Sequence, residues 1–158
     1  MPMNLFSLLD TTTTLSQLKV KNKKELISVL IDTLEQKIGV DKIAEVKAAV
    51  LEREKVMSTG VGKGLGIPHC KTKAVEDNFA AFALLDEPLP FDSIDEEPVR
   101  MVFLLVGPDS RNSLHIKLLS RISRLMNSGS FREQILACQT PEEILEAFQA
   151  EEEKYFVN

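Results

Sequence analysis

His69 and His115 are the only two histidines in the chain, and His69 has the setting that covalent chemistry needs. It follows Pro68 directly and sits in segment 58–72, where four of the chain's seven glycines fall within seven positions: Gly60, Gly62, Gly64 and Gly66. Proline fixes its own φ and pushes Ile67 toward extended backbone. The sequence thus predicts an imidazole presented from a stiff strand end, beside backbone with little side-chain cover. Such a ring is largely neutral at pH 7 and therefore nucleophilic. His115 lies in the first turn of a predicted helix, where amide groups and the helix dipole favour anions. Two readings stay open for it: an exposed polar residue at a helix start, or a second imidazole facing a bound phosphoryl group.

Other chemistries fit less well. Lys63 is followed by Gly64, and no glycine stands five residues before Gly62, so the phosphate-cradling loop of nucleotide-binding enzymes is not matched. The dinucleotide fingerprint fails at Leu65 in one register and at Ile67 in the other. Cys70 adjoins His69, but neighbours on an extended strand point to opposite faces, so a buried or half-buried thiol is expected rather than a Cys–His pair. A zinc site from His69, Cys70, His115 and Cys138 would need three separated segments to converge at no common spacing. No metal and no cofactor are expected.

The elements that must position these residues follow from periodicity. Residues 1–21 read as a loose leader with an apolar cluster, Leu5, Phe6, Leu8 and Leu9, followed by four threonines. Asn22 and Glu25 have capping-box spacing, and the apolar positions from Leu26 to Ile38 predict one helix ending at Gly39. Asp41 is the expected cap of a second helix, with Arg53 near its end. Phe79–Leu85 and Val99–Val106 read as strands buried on both faces, joined by an acidic, proline-containing connection. Leu114, Leu118, Ile122 and Leu125 mark a third long helix. Ser130 with Glu133 begins a short one, and Thr140-Pro141-Glu142-Glu143 opens the last with a capping box. Residues 151–158 are expected to fray. The result is an α/β fold: a single domain, 1–158 with a core of about 5–150, in which a small mixed β-sheet is flanked by helices on both sides.

Composition agrees with that outline. The 158 residues are 44% apolar and 27% charged, ordinary values for a globular domain. A net charge of −5 argues against nucleic-acid binding. The longest apolar runs are too short to enter a bilayer. No basic start followed by a long apolar run opens the chain, and two cysteines outside any C-x-x-C pattern fit a reducing compartment, so a cytoplasmic location is expected.

The string Ser58-Thr59-Gly60-Val61-Gly62, followed by Gly66-Ile67-Pro68-His69, resembles the enzyme IIA domains of the bacterial phosphotransferase system, of the fructose, mannitol and nitrogen-regulatory type. The resemblance extends to Arg53-Glu54, Pro90-Phe91-Asp92, Val99, the strand Val102 to Val106, and Leu114-His115, and it runs from about residue 5 to 150. It implies a mixed sheet flanked by helices. It also implies that His69 carries the phosphoryl group, that His115 is the second active-site histidine, and that Arg53, sixteen residues before His69, is the active-site arginine. The implied donor is the phosphocarrier HPr or a paralogue. The implied acceptor is a IIB domain or, in a nitrogen-regulatory role, target proteins chosen by phosphorylation state. Backbone amides of residues 60–66 would add a nest for the phosphoryl oxygens. Lys63, Lys71 and Lys73 either attract acidic partners or are simply solvated.

Overall fold

A computed structural model of the chain describes residues 5–155. Six strands form one mixed sheet: β1 (Thr14–Leu18), β2 (Gly60–Gly62), β3 (Leu65–Gly66), β4 (His69–Thr72), β5 (Phe79–Leu89) and β6 (Val99–Pro108). The order across the sheet is β1-β5-β6-β3-β2, and β4 also pairs with β6. β5 and β6 run antiparallel at the centre, while β1 lies parallel to β5. The helices are α1 (Lys23–Asp32), α2 (Glu35–Ile38), α3 (Val40–Val56), α4 (Asn112–Met126), α5 (Gly129–Leu136) and α6 (Pro141–Tyr155).

Continuous apolar runs in β5 and β6 require cover on both faces, and the helices supply it. On one face, Ala81, Ala83, Val102, Leu104 and Val106 pack against α1 and α3 through residues such as Leu30, Val46 and Val50. On the other, Phe82, Phe103 and Leu105 pack against α4, α5 and α6. There Phe148 stands edge-on to Phe82, Phe103 and Phe131, with ring centroids 5.1–5.6 Å apart. Edge-to-face geometry suits the ring quadrupoles and adds to the area these side chains bury.

Several expectations need correction. The leader is not loose: Leu5 and Leu9 are buried, and residues 14–18 form an edge strand whose pairing shifts register between Leu15 and Leu18. Gln17, at φ 51°, falls inside that irregularity, so the segment lacks the strict alternation that marks a strand. The single helix expected from Leu26 to Ile38 is broken. Thr33 turns its hydroxyl onto the Leu30 carbonyl at 2.6 Å, and the Leu34 amide bonds to Ile31, three residues back. Asp41 does not cap α3; Gly39, at φ 110°, makes the corner. α5 is capped by Ser128, whose hydroxyl accepts from the Phe131 amide, not by Ser130. Nor does the end of the chain fray from residue 151. Helix α6 continues to Tyr155, and the buried Glu152 carboxylate accepts from the Leu5 and Phe6 amides and pairs with Arg121 at 3.3 Å. The rest of the expected tail, 156–158, lies outside the described residues.

The two capping boxes take their expected places. Asn22 Oδ1 accepts from the Glu25 amide at 2.8 Å, and Thr140 and Glu143 exchange side chain–backbone bonds at 3.2 Å in both directions. Thr140→Ala should therefore destabilise the fold by about 1 kcal/mol. Urea unfolding measures this as a lowered midpoint at constant slope; an unchanged midpoint contradicts the role of the box.

Candidate active site

β3 and β4 are two pieces of one path along the same edge of β6. Leu65 faces Met101 and His69 faces Leu105, so the register is unbroken across the gap. The interruption is Ile67-Pro68. Proline has no amide hydrogen to give the ladder, although its carbonyl still accepts from the Leu105 amide at 3.1 Å. The Ile67 carbonyl turns instead to the His69 ring, where Nδ1 lies 2.7 Å away. A carbonyl can only accept, so Nδ1 carries the hydrogen and the lone pair of the neutral ring is on Nε2.

Alternation along β4 separates the two neighbours. Cys70 is buried on the α1–α3 face, and its thiol is pushed up to about 12 by burial. His69 is half-buried on the other side, next to His115 in the first turn of α4. The two ring centroids are 5.7 Å apart with planes tilted by 50°. His115 is 3% exposed and is thus not an exposed helix-start residue; neither of its ring nitrogens has a partner. Burial, then the neighbouring His69 and Lys71, draws its pKa down to about 4. The His69 pKa is also lowered, first by burial and further by the charges of Arg53 and Lys71. The Ile67 hydrogen bond and Glu54 oppose that shift. Both rings are therefore neutral at pH 7. In an NMR titration of the ring protons, both midpoints should fall below the ordinary histidine value; a His69 midpoint above it contradicts this electrostatic picture.

Arg53 stands in the last turn of α3, near enough for its charge to act on the His69 ring. Its Nη1 donates to the Met57 carbonyl at 2.9 Å, which folds the guanidinium back over the end of its own helix and leaves its other donors available. What fixes that helix end is Glu54, whose role the sequence did not reveal. Its carboxylate accepts from both the amide and the hydroxyl of Thr59, at 2.8 and 2.6 Å, and pairs with Lys23 at 2.6 Å. Lys23 lies 4.3 Å above the Phe91 ring, and Ser58 bridges the Gly60 amide and the Phe91 carbonyl. The Ser-Thr-Gly string is thus a clasp that joins α3, the β2–β3 hairpin and the 91–95 connection. Its visible signal was only the pattern of residue types, because Lys23 comes from α1 far upstream.

The four glycines shape that hairpin. A Cβ on Gly60 would sit 2.3 Å from Ser93 Oγ, and one on Gly66 would sit 3.0 Å from the Phe91 ring. Gly62 and Gly64 take positive φ at the turn. The Gly60 amide is engaged by Ser58, and the Lys63 amide by the Asp95 carboxylate. Of the lysines singled out, Lys63 and Lys71 bond to Asn127 and Asn112 respectively. Among the described residues, no three His, Cys, Asp or Glu side chains gather to hold a metal ion, and no helix is long and apolar enough to cross a membrane.

Comparison with known proteins matches this arrangement to one family. Residues 7–151 fit the family model for the phosphoenolpyruvate-dependent sugar phosphotransferase system, EIIA 2. A nitrogen regulatory protein of Bradyrhizobium diazoefficiens is 37% identical over 82% of this chain and 84% of its own. The fructose-specific EIIA component of Haloferax volcanii is 34% identical over 77% and 79%. The crystal structure of the nitrogen regulatory protein IIA-Ntr from Neisseria meningitidis superposes with a TM-score of 0.85 at 28% identity, covering 91% of this chain and 98% of that one. The chain accordingly belongs to the type-2 EIIA family, the phosphocarrier components of the phosphotransferase system.

Proposed function

We propose that the chain accepts a phosphoryl group on Nε2 of His69 from the phosphohistidine of HPr or a paralogue, and passes it on. The observation that carries this reading is the Ile67 carbonyl bond to Nδ1, which leaves Nε2 as the nucleophilic nitrogen beside a second imidazole. Nε2 attacks phosphorus in line with the donor nitrogen. The new N–P bond forms as the old one breaks, and the donor ring leaves with the bonding electron pair. The positive charge that develops on the His69 ring is shared through Nδ1–H with the Ile67 carbonyl. Transfers of this kind need positioning and charge stabilisation more than bond-making groups. Arg53 offers permanent charge and several donors to the phosphoryl oxygens, and His115 a further ring nitrogen. The Gly60 and Lys63 amides are already engaged, and Gly60, Gly62 and Gly66 let the hairpin lie close against residues 91–95.

Exposed apolar side chains stand close in sequence to these groups. Val56 and Met57 follow Arg53 at the end of α3, Ile116 follows His115, and Val61 and Ile94 flank the hairpin; all five are exposed. Such side chains suit a small transient interface with the donor and then with the acceptor. A IIB domain is one acceptor class: the mannitol IIA of Escherichia coli, which shares this fold, has been seen in complex with phosphorylated IIB. The alternative is regulation, in which phosphorylation state selects partner proteins without sugar transport. It is supported by the nitrogen-regulatory names of the relatives from Bradyrhizobium and Neisseria. A pull-down comparing phosphorylated and unphosphorylated protein separates the two: retention of a IIB domain supports transfer, and state-dependent retention of other proteins supports regulation.

The test of the phosphocarrier reading is incubation with phosphorylated HPr in excess chelator. One acid-labile, base-stable phosphoryl group per chain is expected. No uptake, uptake on serine, or uptake that vanishes with the chelator would overturn it.

A further inference from the structure

His115 has no visible orienting partner, and yet it is buried. Both ring nitrogens are orphaned, and so is Oδ1 of Asn78, a residue 7% exposed just before β5. Leaving buried polar atoms unpaired forfeits their solvation, so native structures nearly always satisfy them. The two orphans border one notch. It is the space where Gly107, in β6, lacks a side chain: a Cβ there would lie 2.5 Å from Asn78 Oδ1 and 3.1 Å from His115 Nδ1. An amide oxygen can only accept, and Nδ1 can donate. The complementary pairing is therefore Nδ1–H to Oδ1, closed by a small side-chain rotation or by a shared water in the notch.

We propose that Asn78 is a positioning residue for the transfer reaction: its Oδ1 holds His115 in the Nδ1–H form, in the space kept open by Gly107. This rests on the phosphocarrier reading for its purpose but not for its geometry. With Nδ1 committed to Asn78, Nε2 is the nitrogen left for a phosphoryl oxygen. When a dianionic phosphoryl group arrives on His69, a proton taken up on Nε2 makes His115 an imidazolium with a donor at each end. One donor is held by the Asn78 oxygen and the other by the phosphoryl group. Hydrogen bonding to the charged form favours it, as an oxygen accepting from the far ring nitrogen does beside other functional histidines. The groups that act electrostatically on the ring before transfer are His69 and Lys71, both on β4, and both keep it neutral until that negative charge appears. Glycine is required at 107 for the same reason, since any Cβ would occupy the notch.

Two measurements on the full chain test this, with the fold of each variant checked by its amide spectrum. The first is the ring-nitrogen NMR signature of His115 in the unphosphorylated protein at pH 7. Wild type should show a pyrrole-type Nδ1 and a pyridine-type Nε2. Asn78→Ala should move the ring toward the Nε2–H form, and Asn78→Asp, which keeps the acceptor oxygen, should restore Nδ1–H. The second is single-turnover phosphoryl uptake from phosphorylated HPr, where Asn78→Ala should be roughly 10- to 100-fold slower and Asn78→Asp closer to wild type. An Nε2–H ring in wild type, or a tautomer indifferent to Asn78→Ala, overturns the proposal even if His69 is phosphorylated normally. Conversely, a tautomer that follows residue 78 in a protein that takes no phosphoryl group leaves the pairing standing and removes the phosphocarrier reading. The wild-type spectrum decides the first point even if the alanine variant fails to fold.

Discussion

His69→Ala should eliminate phosphoryl uptake altogether, not slow it. No other side chain at the site can form the bond. Cys70 is the adjacent nucleophile, but its thiol faces the α1–α3 core and its pKa is pushed up to about 12 by burial, so it holds almost no thiolate at neutral pH. His115 is neutral, but its ring is enclosed, so a donor histidine cannot approach it in line. The His69 ring itself is half-exposed and makes one hydrogen bond, to a carbonyl two residues away, so its loss should leave the fold intact. The measurement is rapid-quench transfer from phosphorylated HPr, with thermal melts as the folding control. Residual uptake at a measurable rate by folded His69→Ala protein would contradict the assignment.

Arg53→Ala and His115→Ala should both still be phosphorylated, each slower by about 10²–10³, the usual cost of removing one well-placed electrostatic donor. Onward transfer to an acceptor should slow as well, because the proposed roles have the same groups hold the phosphoryl oxygens in both half-reactions. Their stability effects should differ. Arg53 is half-exposed at a helix end and its loss is mild, whereas His115 is buried and its truncation leaves a cavity, in the range of roughly 0.5–3 kcal/mol. Rates should therefore be compared well below each variant's melting temperature. Wild-type rates in both variants would place the charge-stabilising groups elsewhere.

Much of the framework was legible because its signals are local. The central strands announced themselves as short apolar runs, two of the helix starts as capping boxes, and His69 by its Pro-His placement, expected at a strand end and found opening β4. What the sequence hid depends on distant partners. β1 shows no alternation because of its register shift near Gln17, and its strand character comes from pairing with Phe82, Ala83 and Leu85. The end of α6 looks like a charged tail, yet Glu152 is buried because the amides of Leu5 and Phe6, from the other end of the chain, need an acceptor. At the site the same division holds. The residue types at 58–60 were visible as a string, but that Glu54 clasps them, and that Lys23 neutralises Glu54, depends on α1 packing beside α3. The histidine at 115 was legible as a helix-start residue. Its burial was not, because that follows from β4 and β6 lying alongside and from a glycine at 107 whose missing side chain makes the room.

The most direct test of the central claim is the position of phosphorus on the histidine ring. Protein labelled with ¹⁵N in its histidine rings and phosphorylated by HPr should show phosphorus coupled to Nε2 of His69, with Nδ1 still protonated and hydrogen-bonded to Ile67. Coupling to Nδ1 of His69, or to either nitrogen of His115, would contradict it.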